Sequence, residues 1–124
     1  MRELAILRVA HISRSAYFWA EHTKVALAGG VPEADIAFLV CGNSGFGGID
    51  LLTLEATDEL LDDGHVHSET WARLVADLDT HAAMELIFVV GTYVMLAMAF
   101  QAWGLAPPNR REGAMTQVQT EPAQ

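Results

Sequence analysis

Three observations predict an all-α fold. Nowhere do apolar and polar residues alternate with the period of two that marks a half-buried strand. Apolar residues recur three and four apart instead, the spacing of a helix face. Glycine and proline gather between these stretches, at 29–32, 41–48, 64 and 104–108, where helices stop and the chain turns. A bundle of about six helices is expected.

The elements follow in order. Leu4, Leu7 and His11 share one stripe, widened by Ile6, Val9 and Ala10, and predict a first helix of about ten residues. Residues 17–28 predict a second, ended by Gly29 and Gly30. Pro32 suits the first turn of a short third helix over 33–40, with Glu33 and Asp35 at its positive end. The run CGNSGFGG over 41–48 reads as a flexible connecting loop that shapes a pocket rim. It lacks the Gly-Lys-Ser/Thr ending of a phosphate loop, so no nucleotide site is expected there. A fourth helix over 49–62 carries Leu51, Leu54 and Leu61 on one side and acids on the other, and Gly64 stops it. Ser68 is the expected N-cap of a fifth helix over 69–78. Thr80 is the expected cap of a long sixth helix to about Trp103, closed by Gly104 and Pro107.

The 124 residues suffice for one domain, read as 1–105, with a flexible tail over 106–124 that is rich in Pro, Gln, Thr and Ala. The formal charge is −9 and the sequence pI about 4.7, which excludes binding a nucleic-acid backbone by charge. The acidic excess is local. Residues 50–85 hold ten acids against Arg73 alone, and the expected result is a solvated outer face on the fourth and fifth helices and the start of the sixth. Cys41 is the only cysteine, so no internal disulfide can form. His65 and His67, with His81 nearby, offer too few ligands for a metal, and no metal or cofactor is expected.

Hydrophobic residues make up 52% of the chain, which requires either a membrane or partner subunits to cover them. No charge falls between Leu86 and Asn109. That run has the length of a membrane span, and Arg110 and Arg111 follow it. Gly91, Thr92 and Gln101 interrupt it, however, and the strongly apolar part from 86 to 100 is also the length of a buried core helix. Glu3 and Arg8 rule out a secretory signal at the start. The chain is read as cytoplasmic, without a membrane span.

The first two helices hold the chemistry. Ser15, Phe18 and His22 are spaced three and four apart and so share a helix face. Glu3 precedes Ser15 by twelve residues, and antiparallel packing of the two helices would bring it to that face. A carboxylate beside an imidazole fixes the ring for proton donation or acceptance. On spacing alone, the plainer reading of a partly buried histidine and a first-turn carboxylate takes precedence.

The segment RELAILRVAHISRSAYFWAEHTKVALAGGVPEADIAFL resembles the core of the carboxymuconolactone decarboxylase family, which includes the alkylhydroperoxidase D proteins. ATDELLDDGHVHSETWARL and ELIFVVGTYVMLAMAFQAWG are similar to the C-terminal half of its members, so the resemblance covers roughly residues 2–105. It implies an all-helical subunit in homo-trimers or hexamers, with active sites near subunit contacts. Relatives with this C-terminal half have further helical sequence before the Arg-Glu position, so the resemblance implies either a shortened member or a chain whose true start lies upstream.

Redox members carry Glu-x11-Cys-x2-Cys-x3-His. Glu3 and His22 match its ends, while Ser15 and Phe18 stand at the cysteine positions. Cys41 falls outside the motif. A hydroxyl and a phenyl ring supply neither thiolate nor resolving thiol, so peroxidase chemistry is not expected. The resemblance therefore implies the non-redox branch, a cofactor-independent acid–base lyase or isomerase for a small carboxylated or lactone substrate in aromatic-compound catabolism. In that reading His22, held by Glu3, moves the proton, and Tyr17 donates a hydrogen bond. Ser15, Phe18, Trp19 and His11 contact the substrate, and Arg8 and Arg14 are the nearest cations for a carboxylate. Many non-redox relatives carry a carboxylate where this chain has Phe18. The alternative is a helical oligomeric module of the same fold without chemistry.

Overall fold

The computed structural model describes residues 2–104, and the tail expected over 106–124 lies outside them. Among the described residues there are six helices and no strand: α1 (Arg2–Ile12), α2 (Ala16–Ala28), α3 (Glu33–Leu39), α4 (Gly48–Asp63), α5 (Ser68–Asp77) and α6 (Thr80–Ala102). The expected all-α class and number of helices hold.

α1 is the axis of the bundle. Residues 4–10 are all buried, which a helix achieves only when neighbours surround it. The expected stripe was too narrow, because Ala5 and Arg8 are buried as well. His11, placed on the stripe by spacing, is exposed in the last turn. Three groups of core residues meet around α1. Ala5 and Val9 pack with Leu52 and Ala56 of α4, Leu74 of α5, and Leu86 and Val90 of α6. Leu4 and Leu7 pack with Ala26 of α2, Ile36 and Leu39 of α3, and Leu54 of α4. Ala10 packs with Phe18 of α2 and Ala97 of α6. α2 therefore returns antiparallel to α1, while α6 runs alongside α1 in the same direction. Gln101 near the end of α6 donates to the Ser13 carbonyl.

The α1–α2 turn is tight. The Ser15 N–H bonds the Ala10 carbonyl at 2.8 Å and the Arg14 N–H bonds the His11 carbonyl at 3.2 Å. These are the two bonds of a Schellman ending, whose left-handed residue is usually glycine. Here it is Arg14, with φ 55°, a conformation that costs a residue with a Cβ about 1 kcal/mol. α4 ends on the usual residue, Gly64 at φ 78°, whose N–H bonds the Leu60 carbonyl at 3.0 Å.

Several capping residues differ from expectation. Ser15 is the N-cap of α2 rather than part of its face, and its hydroxyl accepts from the Phe18 N–H at 3.4 Å. Pro32 precedes α3 as its N-cap. Ser68 lies inside α5; the N-cap is His67, whose side chain makes no cap bond. Glu59 of α4 takes that role instead, accepting from the His67 N–H and from the Thr70 hydroxyl, each at 2.6 Å. A carboxylate from another helix thus satisfies one backbone donor at the helix start, the His67 N–H, and complements the helix dipole. Asp79, not Thr80, caps α6, accepting from the Ala82 N–H at 2.7 Å.

The acidic segment is consequently more than a solvated face. Asp62, Asp63, Glu69, Asp77, Asp79 and Glu85 are exposed, but Glu55, Asp58 and Glu59 are half-buried and bonded. His67 Nε2 lies 2.5 Å from Asp63. This hydrogen bond, aided by the charges of Glu59 and Asp63, raises the His67 pKa above its usual 6.5. The contact therefore favours the folded state at acidic pH, and this contribution fades as pH rises through the raised value.

Nor is the glycine loop merely a flexible connection. Arg8, 5% exposed, holds it from inside. One guanidinium nitrogen donates to both Asp58 oxygens at 3.0 and 2.9 Å. The other donates to the Gly42 carbonyl at 3.1 Å and Asn43 Oδ1 at 2.6 Å.

α6 is long and apolar enough to cross a membrane by length and composition alone, with a mean hydropathy of 2.0. Ala83, Leu86, Val90 and Ala97 are buried in the bundle, while Met84, Phe88, Met95 and Met98 are exposed.

Candidate active site: a histidine–carboxylate pair and a separate groove

The antiparallel hairpin of α1 and α2 sets Glu3, in the first turn of α1, beside His22 in the middle of α2. His22 Nδ1 lies 3.1 Å from Glu3 Oε2, with side chains 17% and 25% exposed. A proton on Nδ1 donated to the carboxylate leaves Nε2 as the nitrogen able to take up or deliver a proton. The pair is neither sealed in the core nor fully solvated.

Aromatic rings surround it. Phe18, one turn before His22, is 6% exposed, and its centroid lies 6.0 Å from the imidazole. Tyr93 of α6 meets the imidazole edge-on at 5.0 Å and Phe18 at 5.4 Å. Phe100 stacks on Phe18 at 5.1 Å. Tyr17 packs edge-on against Phe100 at 5.6 Å and against Phe18 at 5.7 Å. The tyrosine against His22 is thus Tyr93, which the sequence reading did not single out. Tyr17 sits one ring further away, in the same aromatic group. Helix spacing ties Phe18 to His22, but no local signal ties either to α6.

The remaining expected site residues lie elsewhere. Where α1 gives way to α2, an open groove of about 790 Å³ is lined by His11, Arg14, Ser15 and Trp19, with small apolar side chains and Val40. The His11 and Trp19 rings are 6.0 Å apart and tilted by 55°. Neither Glu3, Tyr17, Phe18 nor His22 lines this groove. The residues expected to form one site therefore form two, on different sides of α2. Ser15 faces the groove while its hydroxyl caps the helix that carries Phe18. Arg8, read as a possible substrate cation, is committed to Asp58 and the glycine loop. The other candidate cation, Arg14, is exposed, and its guanidinium bonds no other described residue.

Among the described residues, no group of three or more His, Cys, Asp or Glu side chains is placed to hold a metal. Cys41 is exposed. No protein-family profile, curated protein or solved structure matches this chain.

Proposed function

We propose that this protein is a non-redox relative of the carboxymuconolactone decarboxylase family, acting as a cofactor-independent acid–base lyase or isomerase on a small carboxylated or lactone substrate. The observation that carries the reading is the Glu3–His22 contact at 3.1 Å. It joins the two ends of the motif that the sequence resembles, across the helix hairpin. Glu3 positions the ring through Nδ1, and Nε2 exchanges the proton. In decarboxylation, the bond to the leaving carboxylate breaks, carbon dioxide departs, and the electron pair forms a dienolate. Protonated His22 then donates its Nε2 proton to the dienolate carbon. Oligomerisation belongs to the same reading. The exposed Met84, Phe88, Met95 and Met98 on α6 supply an apolar surface for a trimer or hexamer.

A mass-spectrometric screen of lactones and unsaturated carboxylates, run on the wild type and on His22→Ala, tests the chemistry. The expected outcome is one substrate converted by the wild type, with turnover reduced about 10²-fold or more in the variant, the usual contribution of a general acid or base. Equal conversion by both proteins overturns the assignment of His22. Peroxide turnover is not part of the reading, since the sequence holds the single Cys41.

Phe18 favours a second reading, a helical oligomeric module without chemistry. Its buried ring fills the middle of the motif face, and the large groove opens away from Glu3 and His22. A screen that finds no converted compound, with an oligomer present in solution, selects this reading.

A further inference from the structure

The turn between α1 and α2 spends stability on an arginine. Its hydrogen bonds are those of a Schellman ending, and the left-handed position takes glycine at least strain. Arg14 occupies it at φ 55°. The strain has no evident structural return, because the guanidinium bonds no other described residue. Strain held at a surface position, on a residue whose charged group pairs with none of the described residues, directs attention to what that group faces.

It faces the groove. At about 790 Å³, the space falls within the range of small-molecule sites, roughly 300–1,000 Å³. Its floor and walls are the small side chains of Ala10, Ala16 and Ala20, the rings of Trp19 and His11, and the branched side chains of Ile12 and Val40. Ile12 and Val40 are 53% and 47% exposed, so apolar surface is left to water around a single arginine. The positive pole of α2 lies at the same end, although the Ser15 and Phe18 N–H groups there are already bonded, to the Ala10 carbonyl and the Ser15 hydroxyl. An apolar recess with one planar cation at its edge is complementary to an amphiphilic monoanion. The arginine fork matches a carboxylate with two parallel hydrogen bonds. Polyanions suit it poorly, since the chain as a whole carries −9.

We propose that the groove between the end of α1 and the start of α2 binds a small hydrophobic carboxylate, with Arg14 taking the carboxylate and Trp19 and Ile12 flanking the apolar body. The site goes beyond the acid–base reading and does not depend on it, because neither Glu3 nor His22 lines the groove.

Isothermal titration of the full chain with 1-naphthoate, and with the neutral 1-naphthamide of nearly the same shape, tests the proposal. Saturable binding of the naphthoate is expected, with the amide about tenfold weaker or more, as befits loss of a charge-assisted bidentate contact. Arg14→Gln should weaken the naphthoate by a similar factor, and Lys24→Gln, which removes an exposed charge elsewhere on the surface, should not. Arg14→Gly separates recognition from folding. It should raise the melting temperature, because glycine relieves the left-handed strain, while losing the naphthoate. The proposal is overturned by absence of saturable naphthoate binding, by equal affinity for acid and amide, or by full affinity in a folded Arg14→Gln protein. Loss of His22-dependent turnover, by contrast, leaves it untouched.

Discussion

Arg8 carries a guanidinium into the interior of the bundle, with its side chain 6% exposed beside an Asp58 that is 30% exposed. Removing one partner of such a pair leaves the other without its counter-charge, which costs more than the pair itself contributes. Arg8→Ala also frees the Gly42 carbonyl and the Asn43 amide oxygen. The expected loss is about 3 kcal/mol in urea unfolding, a large share of the stability of a small domain. A loss under about 1 kcal/mol would mean that water replaces the guanidinium freely. Single residues were unevenly legible in the sequence. The approach of Glu3 to His22 was expected only on condition that the first two helices pack antiparallel, which spacing alone does not establish. Tyr93 was not expected, because its contact with His22 depends on how α6 lies against α2. The local pattern does not show that Arg8 is bound inside while Arg14 is exposed and its guanidinium unpaired among the described residues. Arg8 lies in the middle of α1 and Arg14 in the turn just beyond it, and only tertiary packing shows that the mid-helix cation is the enclosed one.

At the scale of the element, helix identity was more legible than helix ends. Each of the six apolar stretches became a helix, within a residue or so of its expected bounds. The caps of α5 and α6 were misread, because a serine or threonine near a helix start satisfies a local rule that a better-placed carboxylate overrides. For α5 that carboxylate is Glu59, at the other end of a turn and on another helix. Two substitutions separate the alternatives. Ser68→Ala should change stability by a few tenths of a kcal/mol at most, while Glu59→Ala should cost about 1–2 kcal/mol, the range of a lost cap. Thermal unfolding of both variants checks this, and a larger effect at Ser68 than at Glu59 would reverse the assignment.

The whole molecule brings the 52% hydrophobic content back into view. The bundle buries α1 completely along residues 4–10 and only one side of α6. The more apolar of the two helices, α6, is thus the one left partly uncovered, while α1, with two arginines and a glutamate, is the one enclosed, the reverse of what composition alone suggests. The exposed side of α6 is where the proposed oligomer finds its surface. Phe88 and Met95, 69% and 57% exposed, touch water in the single chain, so Phe88→Glu with Met95→Glu should leave helix content intact. Light scattering after size exclusion should then show a smaller assembly than the wild type, and an unchanged mass would place the contact on another face.

The central position of α1 also sets the order of events at the ribosome. α1 is synthesised before every helix that shields it, and α6, which covers it along Ala5, Val9 and Ala10, is the last of the six to emerge. At about 5–20 residues per second, the apolar axis of the bundle waits several seconds without its final wall. Chains stalled before α6 expose that axis, and they are the nascent species on which chaperones would act.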